Sequence, residues 1–114
     1  MKPKPRSMRG GNFDRRFFIM IAIVAKHLIK PECLDTYHAL AQELAEASRK
    51  EAGCVFYHSV QSETDPREHV FMECWKDQAA IDTHNATEHF TRIVPQFAEL
   101  FDGPEDVKLY TVNI

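Results

Sequence analysis

Residues 54–76 read CVFYHSVQSETDPREHVFMECWK. Two runs rich in β-branched and aromatic residues, Cys54 to Gln61 and His69 to Lys76, flank the polar connection Glu63-Thr64-Asp65-Pro66-Arg67. A proline there cannot donate to a ladder, so the pattern predicts two strands joined as a hairpin. Upstream, Leu34, Tyr37, Ala41, Leu44, Ala45 and Ser48 recur at helical spacing over Glu32 to Glu51, and Gly53 follows as a C-cap would. Before that helix, Phe18 to Ile29 reads as a first strand, ended by Lys30-Pro31. Downstream, Asp77 is the expected N-cap of a short helix from Gln78 to about Asn85. A further helical stretch runs from Thr87 or Glu88 to Phe101, with Pro95 expected to kink it or mark its first turn. Asp102-Gly103-Pro104 breaks the chain, and Val107 to Ile114 forms the last strand. The order βαββαβ predicts an α+β, ferredoxin-like protomer: an antiparallel four-stranded sheet with its helices on one face.

Alternation along the strands adds a second expectation. The third strand places Val70, Met72 and Cys74 on one face and Phe71, Glu73 and Trp75 on the other. The first strand is apolar on both faces as well, with Ile19, Ile21 and Ile23 opposite Met20, Ala22 and Val24. Helices cover only one of these faces, and the chain has no spare element for a third layer. An obligate homodimer with its sheets stacked face to face would cover the other.

The full chain of 114 residues carries 14 Lys+Arg, 17 Asp+Glu and a formal net charge of −3. Residues 1–16 hold six of the cations (Lys2, Lys4, Arg6, Arg9, Arg15 and Arg16) against one anion, Asp14, leaving eight cations and sixteen anions for the remainder. Two prolines, a Gly-Gly pair and almost no apolar periodicity make 1–17 a disordered basic N-terminal extension by expectation, with 18–114 as a single folded domain. The acidic domain disfavours nucleic acid, and no apolar run reaches the roughly 18 residues of a membrane span. Residues 17–25, FFIMIAIVA, follow the basic stretch as a secretory signal would, but Lys26 and His27 come at once behind them. Cys33, Cys54 and Cys74 fit neither a disulfide framework nor a C-x-x-C site, so they read as reduced thiols in a cytoplasmic protein.

The segment from Phe71 to Phe90, FMECWKDQAAIDTHNATEHF, resembles the E-x-W…A…H…x-H-F stretch of the antibiotic biosynthesis monooxygenase (ABM) family. Gly53-Cys54, the Asp65-Pro66 turn and the short terminal strand support the likeness, which extends over about Met20 to Ile114. The resemblance implies a dimeric α+β barrel. It also implies a quinol monooxygenase-like, cofactor-independent oxidation of a small aromatic hydroquinone, anthrone or similar polyketide to a quinone by O2. Such a substrate, once deprotonated, supplies the electrons itself, so the protein need provide only a base, hydrogen-bond donors and a dry pocket. No Gly-rich phosphate loop supports a bound flavin or nicotinamide, and no cofactor is expected. Relatives with other chemistry leave two alternatives: an isomerase of a phosphorylated autoinducer-2-type small molecule, and a non-catalytic small-ligand-binding dimer. Haem degradation is disfavoured, because Val24 or another apolar neighbour occupies the first-strand position where such relatives carry Asn.

His84, Trp75 and Glu73 are the candidate catalytic residues, and His89, Phe90, Phe71, His58 and Arg92 the candidate substrate contacts. Trp75 is either a large core side chain or a wall that stacks on an aromatic substrate with its N–H as donor. Glu73, the one charge among the apolar residues of its strand, is either paired with Arg92 or Lys26 or lies in a cavity with a raised pKa. His84 is the preferred base, by its place in the motif and its near-neutral titration. His58 is expected in the pocket or at the dimer seam, and Arg92 to orient an acidic phenol. His84 and His89 fall five residues apart, about 140° around one helix. They are therefore not expected to share a metal, and no metal site is expected.

Overall fold

A computed structural model describes residues 19–114. The basic stretch 1–17 and the proposed strand start at Phe18 lie outside the described residues. The elements are β1 (Ile21–Leu28), a single 3-10 turn (Pro31–Cys33), α1 (Leu34–Arg49), β2 (Cys54–Gln61), β3 (Glu68–Trp75), α2 (Gln78–Asn85), α3 (Glu88–Phe97) and β4 (Asp106–Thr111). The strands form one sheet in the order β2-β3-β1-β4, with every neighbouring pair antiparallel. This is the expected α+β ferredoxin-like arrangement. No helix among the described residues is long and apolar enough to cross a membrane.

Local chemistry sets the element ends. Pro31 opens the turn into α1, where a missing N–H costs nothing. The side chain of Asp77 accepts a hydrogen bond from the Ala80 N–H at 2.8 Å and caps α2; Thr87 does the same for α3 through the Phe90 N–H. The residues of α1 buried against the sheet are Tyr37, Ala41, Leu44, Ala45 and Ser48, the face marked by the sequence spacing. Helix α3 contains Pro95 and ends at Phe97, four residues earlier than expected.

Gly53 works differently from a helix cap. Its backbone does not enter the left-handed region, which among the described glycines only Gly103 occupies, at φ 103°. What fixes glycine at 53 is space: a Cβ there would lie 2.3 Å from the Ala80 Cβ. The chain leaving α1 thus presses against the start of α2, and this contact brings Glu51 to the helices that carry the motif histidines.

The two sheet faces have different neighbours. The helix side holds Ala25, Tyr57, Phe71, Glu73 and Trp75, all buried. The opposite side carries Phe56, Val60, Met72 and Tyr110, all exposed large hydrophobic residues.

Candidate functional site

A cavity of about 620 Å³ lies between the helix side of the sheet and the helices. β1 contributes Ile23 and Ala25, β3 contributes Phe71 and Glu73, α2 contributes Ile81 and His84, and α3 contributes Phe90 and Val94. Its size fits a ligand of two or three fused rings.

Glu73 is the carboxyl on its β3 floor. Strand alternation turns it inward with Phe71 and Trp75, so the residue is only 8% exposed. It pairs with neither Arg92 nor Lys26: Trp75 donates its indole N–H to Glu73 Oε1 at 2.8 Å, and the nearby Tyr57 hydroxyl also favours the charged form of the carboxyl. Burial penalises the charged form more than these two donors favour it, and the carboxyl's pKa rises from 4.5 to about 7. Burial likewise pushes the Tyr57 hydroxyl far up, so it stays protonated as a donor.

His84 is 2% exposed and packs its ring on the Trp75 indole at a centroid distance of 4.3 Å. Its Nδ1 lies 2.6 Å from Glu51 Oε2, and its Nε2 is buried without a hydrogen-bond partner. Burial holds its pKa below 6.5 more strongly than the Glu51 contact raises it, so the imidazole is neutral at neutral pH. His89 Nε2 reaches the same Glu51 oxygen at 2.7 Å. The expected 140° separation of the imidazoles does not hold, because α2 ends at Asn85 and α3 begins at Glu88, so the two histidines stand on different helices.

The donor atoms of Glu51, His84 and His89 lie within 4.8 Å of one another, the one group among the described residues compact enough to consider for a metal ion. Ligands at 2.0–2.1 Å from zinc would stand about 3 Å or more apart. The 2.6 and 2.7 Å contacts are hydrogen-bond lengths, and protons account for them.

The other sequence candidates divide. Phe71 and Phe90 line the cavity. Trp75 is fully buried beneath it, where it serves as a hydrogen-bond donor to Glu73 and a platform for His84 rather than as a stacking wall. His89 stands behind His84, on Glu51. His58 is exposed on the opposite sheet face, its ring stacked with that of Phe56 at 5.8 Å, outside the cavity. Arg92 is also outside, on the surface of α3, in ion pairs with Glu43 and Glu88. The i, i+4 relation to Glu88 draws it along the helix surface, away from the interior.

Sequence reasoning missed Glu51, His27 and Glu105. His27, on the inward face of β1, contacts Glu105 Oε2 through Nδ1 at 3.0 Å and the Tyr37 hydroxyl through Nε2 at 2.7 Å. An imidazole at an inward position of an apolar strand is the signal that could have marked it. Glu51 carried none, since a charge at the end of an amphipathic helix reads as solvated. Burial raises the thiol pKa of Cys74, and that of Cys54 to about 11, so neither is a thiolate nucleophile near neutral pH.

The sequence profile described as Antibiotic biosynthesis monooxygenase matches residues 20–96, a span that includes Glu51, Glu73, His84 and His89. The chain belongs to the antibiotic biosynthesis monooxygenase family. It is 36% identical over 88 residues to the Bacillus subtilis protein named "Putative monooxygenase YcnE", covering 77% of this chain and 93% of that one. It is 32% identical over 92 residues to an uncharacterized protein of Synechocystis sp., covering 81% of this chain but only 63% of that longer protein. Among solved structures, one of an antibiotic biosynthesis monooxygenase superposes with a TM-score of 0.77 at 38% identity, covering 82% of this chain and 99% of that one. A conserved protein from Methanosarcina mazei Go1 superposes with a TM-score of 0.78 at 32% identity, covering 83% and 94%. Within the ABM family, this chain thus carries Glu73 and His84 in its cavity wall, joined through Trp75.

Proposed function

We propose that this ABM protein is a cofactor-independent monooxygenase that oxidises a small aromatic hydroquinone, anthrone or similar polyketide to a quinone with O2. The observation that carries the reading is Glu73: a carboxyl in an apolar, ring-lined cavity whose pKa of about 7 suits a base at neutral pH. For an anthrone, the Glu73 carboxylate removes a proton from the activated carbon. The carbanion gives one electron to O2, and the two radicals join in a C–O bond to give a hydroperoxide after proton return. Loss of the second proton from that carbon, with cleavage of the O–O bond, leaves the ketone and expels hydroxide, which becomes water. The products are one quinone and one water per O2.

The cavity lining contains Glu73 and Glu105 and no Lys or Arg. That balance favours a neutral or weakly acidic aromatic over the phosphorylated substrate of an isomerase. The exposed apolar face bearing Phe56, Val60, Met72 and Tyr110 supports an obligate homodimer formed by stacking two sheets. Analytical ultracentrifugation at micromolar concentration tests that assembly, and a folded monomer there overturns it. Three free thiols suit a cytoplasmic setting.

The activity is tested by aerobic incubation with a panel of anthrones and naphthohydroquinones, following quinone absorbance and oxygen uptake together. Quinone formation well above the buffer rate, lowered on the order of 10²- to 10⁴-fold in Glu73→Gln, is expected. A wild-type rate equal to buffer sinks the reading and leaves ligand binding as the function.

A further inference from the structure

We propose that Glu51 is a positioning residue for a second proton acceptor in the cavity, His84 Nε2. The inference rests on the reading above in taking a bound aromatic hydroxyl as the proton source. Three observations carry it. First, a carboxylate oxygen only accepts, so the 2.6 Å contact from Glu51 Oε2 places the imidazole proton on His84 Nδ1 and leaves Nε2 as a bare lone pair. Second, that Nε2 is buried and has no hydrogen-bond partner in the protein, although the ring lines the cavity. A buried polar atom left unpaired costs about 1–3 kcal/mol, a cost that a ligand hydroxyl donating to it would remove. Third, His89 Nε2 holds the same Glu51 oxygen at 2.7 Å, so the carboxylate is gripped from α3 while it orients the ring on α2.

The chemistry gives the arrangement a use. Oxidation of a hydroquinone to a quinone releases two hydroxyl protons while its two electrons pass to O2, which leaves with those protons as hydrogen peroxide, and Glu73 accepts only one proton at a time. In the second transfer the substrate O–H bond breaks, its proton forms a bond to His84 Nε2, and the electron pair stays on the oxygen. The resulting imidazolium then faces the Glu51 carboxylate, in the manner of an acid–imidazole pair that orients a base and offsets its developing charge. Trp75 connects the two acceptors, its N–H on Glu73 and its ring against His84.

Long-range 1H–15N spectra of the histidine rings in the full-length protein test the proposal without requiring turnover, with 1-naphthol as the probe. In wild type, His84 is expected as the Nδ1-protonated tautomer, and naphthol should displace the Nε2 resonance toward its hydrogen-bonded position. Glu51→Ala should scramble the tautomer. Glu51→Gln keeps a carbonyl acceptor and should retain the tautomer, show a smaller naphthol-induced displacement, and lower kcat about 100-fold with naphthol affinity nearly unchanged. A wild-type proton on Nε2, a tautomer indifferent to Glu51→Ala in a folded variant, or an equal naphthol displacement in Glu51→Gln overturns the proposal. If Glu51→Ala does not fold, the Glu51→Gln comparison decides alone. Absence of quinone from every substrate defeats the oxygenase reading, whereas the tautomer and probe shifts still decide the role of Glu51.

Discussion

Two buried imidazoles stand near opposite ends of β3, each beside a carboxylate, and they differ in one nitrogen. His27, paired across the sheet with His69, has both ring nitrogens engaged, by Glu105 and by the Tyr37 hydroxyl, and stacks on Phe101 at 4.4 Å. His84, packed on Trp75 at the other end, has Nδ1 engaged by Glu51 and Nε2 left open. A buried ring with every polar atom satisfied holds the fold; one with a polar atom unsatisfied stores a demand that a ligand can meet. The same pair of residue types therefore does structural work at one end and is suited to proton transfer at the other.

Exchanging the two losses is the strongest way to break this comparison. His84→Gln should lower quinone formation about 1000-fold, the scale of a lost general base, with a modest effect on stability. His27→Gln should leave kcat nearly unchanged and cost about 2 kcal/mol in urea unfolding, because it strands the Tyr37 hydroxyl and Glu105. Effects distributed the other way round would show that the ends have been assigned wrongly.

Glu73 gives the next largest effect. Its pKa is raised on folding from 4.5 to about 7, so the native state binds a proton that the unfolded state has already released in that window. Stability should therefore fall as pH rises from about 4.5 to 7, by up to about 3 kcal/mol, and Glu73→Gln should flatten this fall in melts taken across the range. As a base, Glu73 acts when ionised, so kcat/KM should rise with pH through an acid limb near 7. Trp75→Phe removes a donor that favours the carboxylate and should move that limb upward. His84 behaves oppositely in stability: its depressed pKa means that the unfolded chain protonates first, and stability is lost as pH falls below 6.5.

Gly53→Ala sharpens the comparison locally. Its Cβ would overlap Ala80, displacing the segment that carries Glu51, so a loss of about 2 kcal/mol is expected, with ring signals of His84 shifted and those of His27 unmoved. The smallest effect belongs to Arg92→Ala. That side chain is exposed in its pairs with Glu43 and Glu88, and its removal should change stability by no more than about 0.5 kcal/mol and activity at neither end. A large loss of activity in that variant would return Arg92 to the substrate contacts.

The elements were legible because each is written in local spacing. The proline connection, the α1 stripe from Tyr37 to Ser48 and the Asp77 cap reappear in the structure at or near their expected positions. Glu73 stood out for the same reason, as one charge among apolar strand residues. His84 and His89 were singled out by motif, yet their geometry was misjudged, since one helical wheel was laid across a break between two helices. Arg92 was expected inside and lies outside, and His58, expected in the pocket or at the dimer seam, lies on the opposite sheet face, because a helix or strand residue with mixed chemistry does not announce which side its neighbours will cover.

The sequence by itself determined the βαββαβ order, the inward row Phe71, Glu73 and Trp75, and the likeness to the ABM family, all properties of periodicity and short-range pattern. Tertiary structure alone decided that Glu51 meets His84 and His89, residues 33 and 38 positions away. It also decided that His84, and not His27, keeps a free nitrogen. Those outcomes depend on how closely α1, α2 and α3 approach one another, a distance set by packing at sites such as Gly53 against Ala80 and encoded in no single segment.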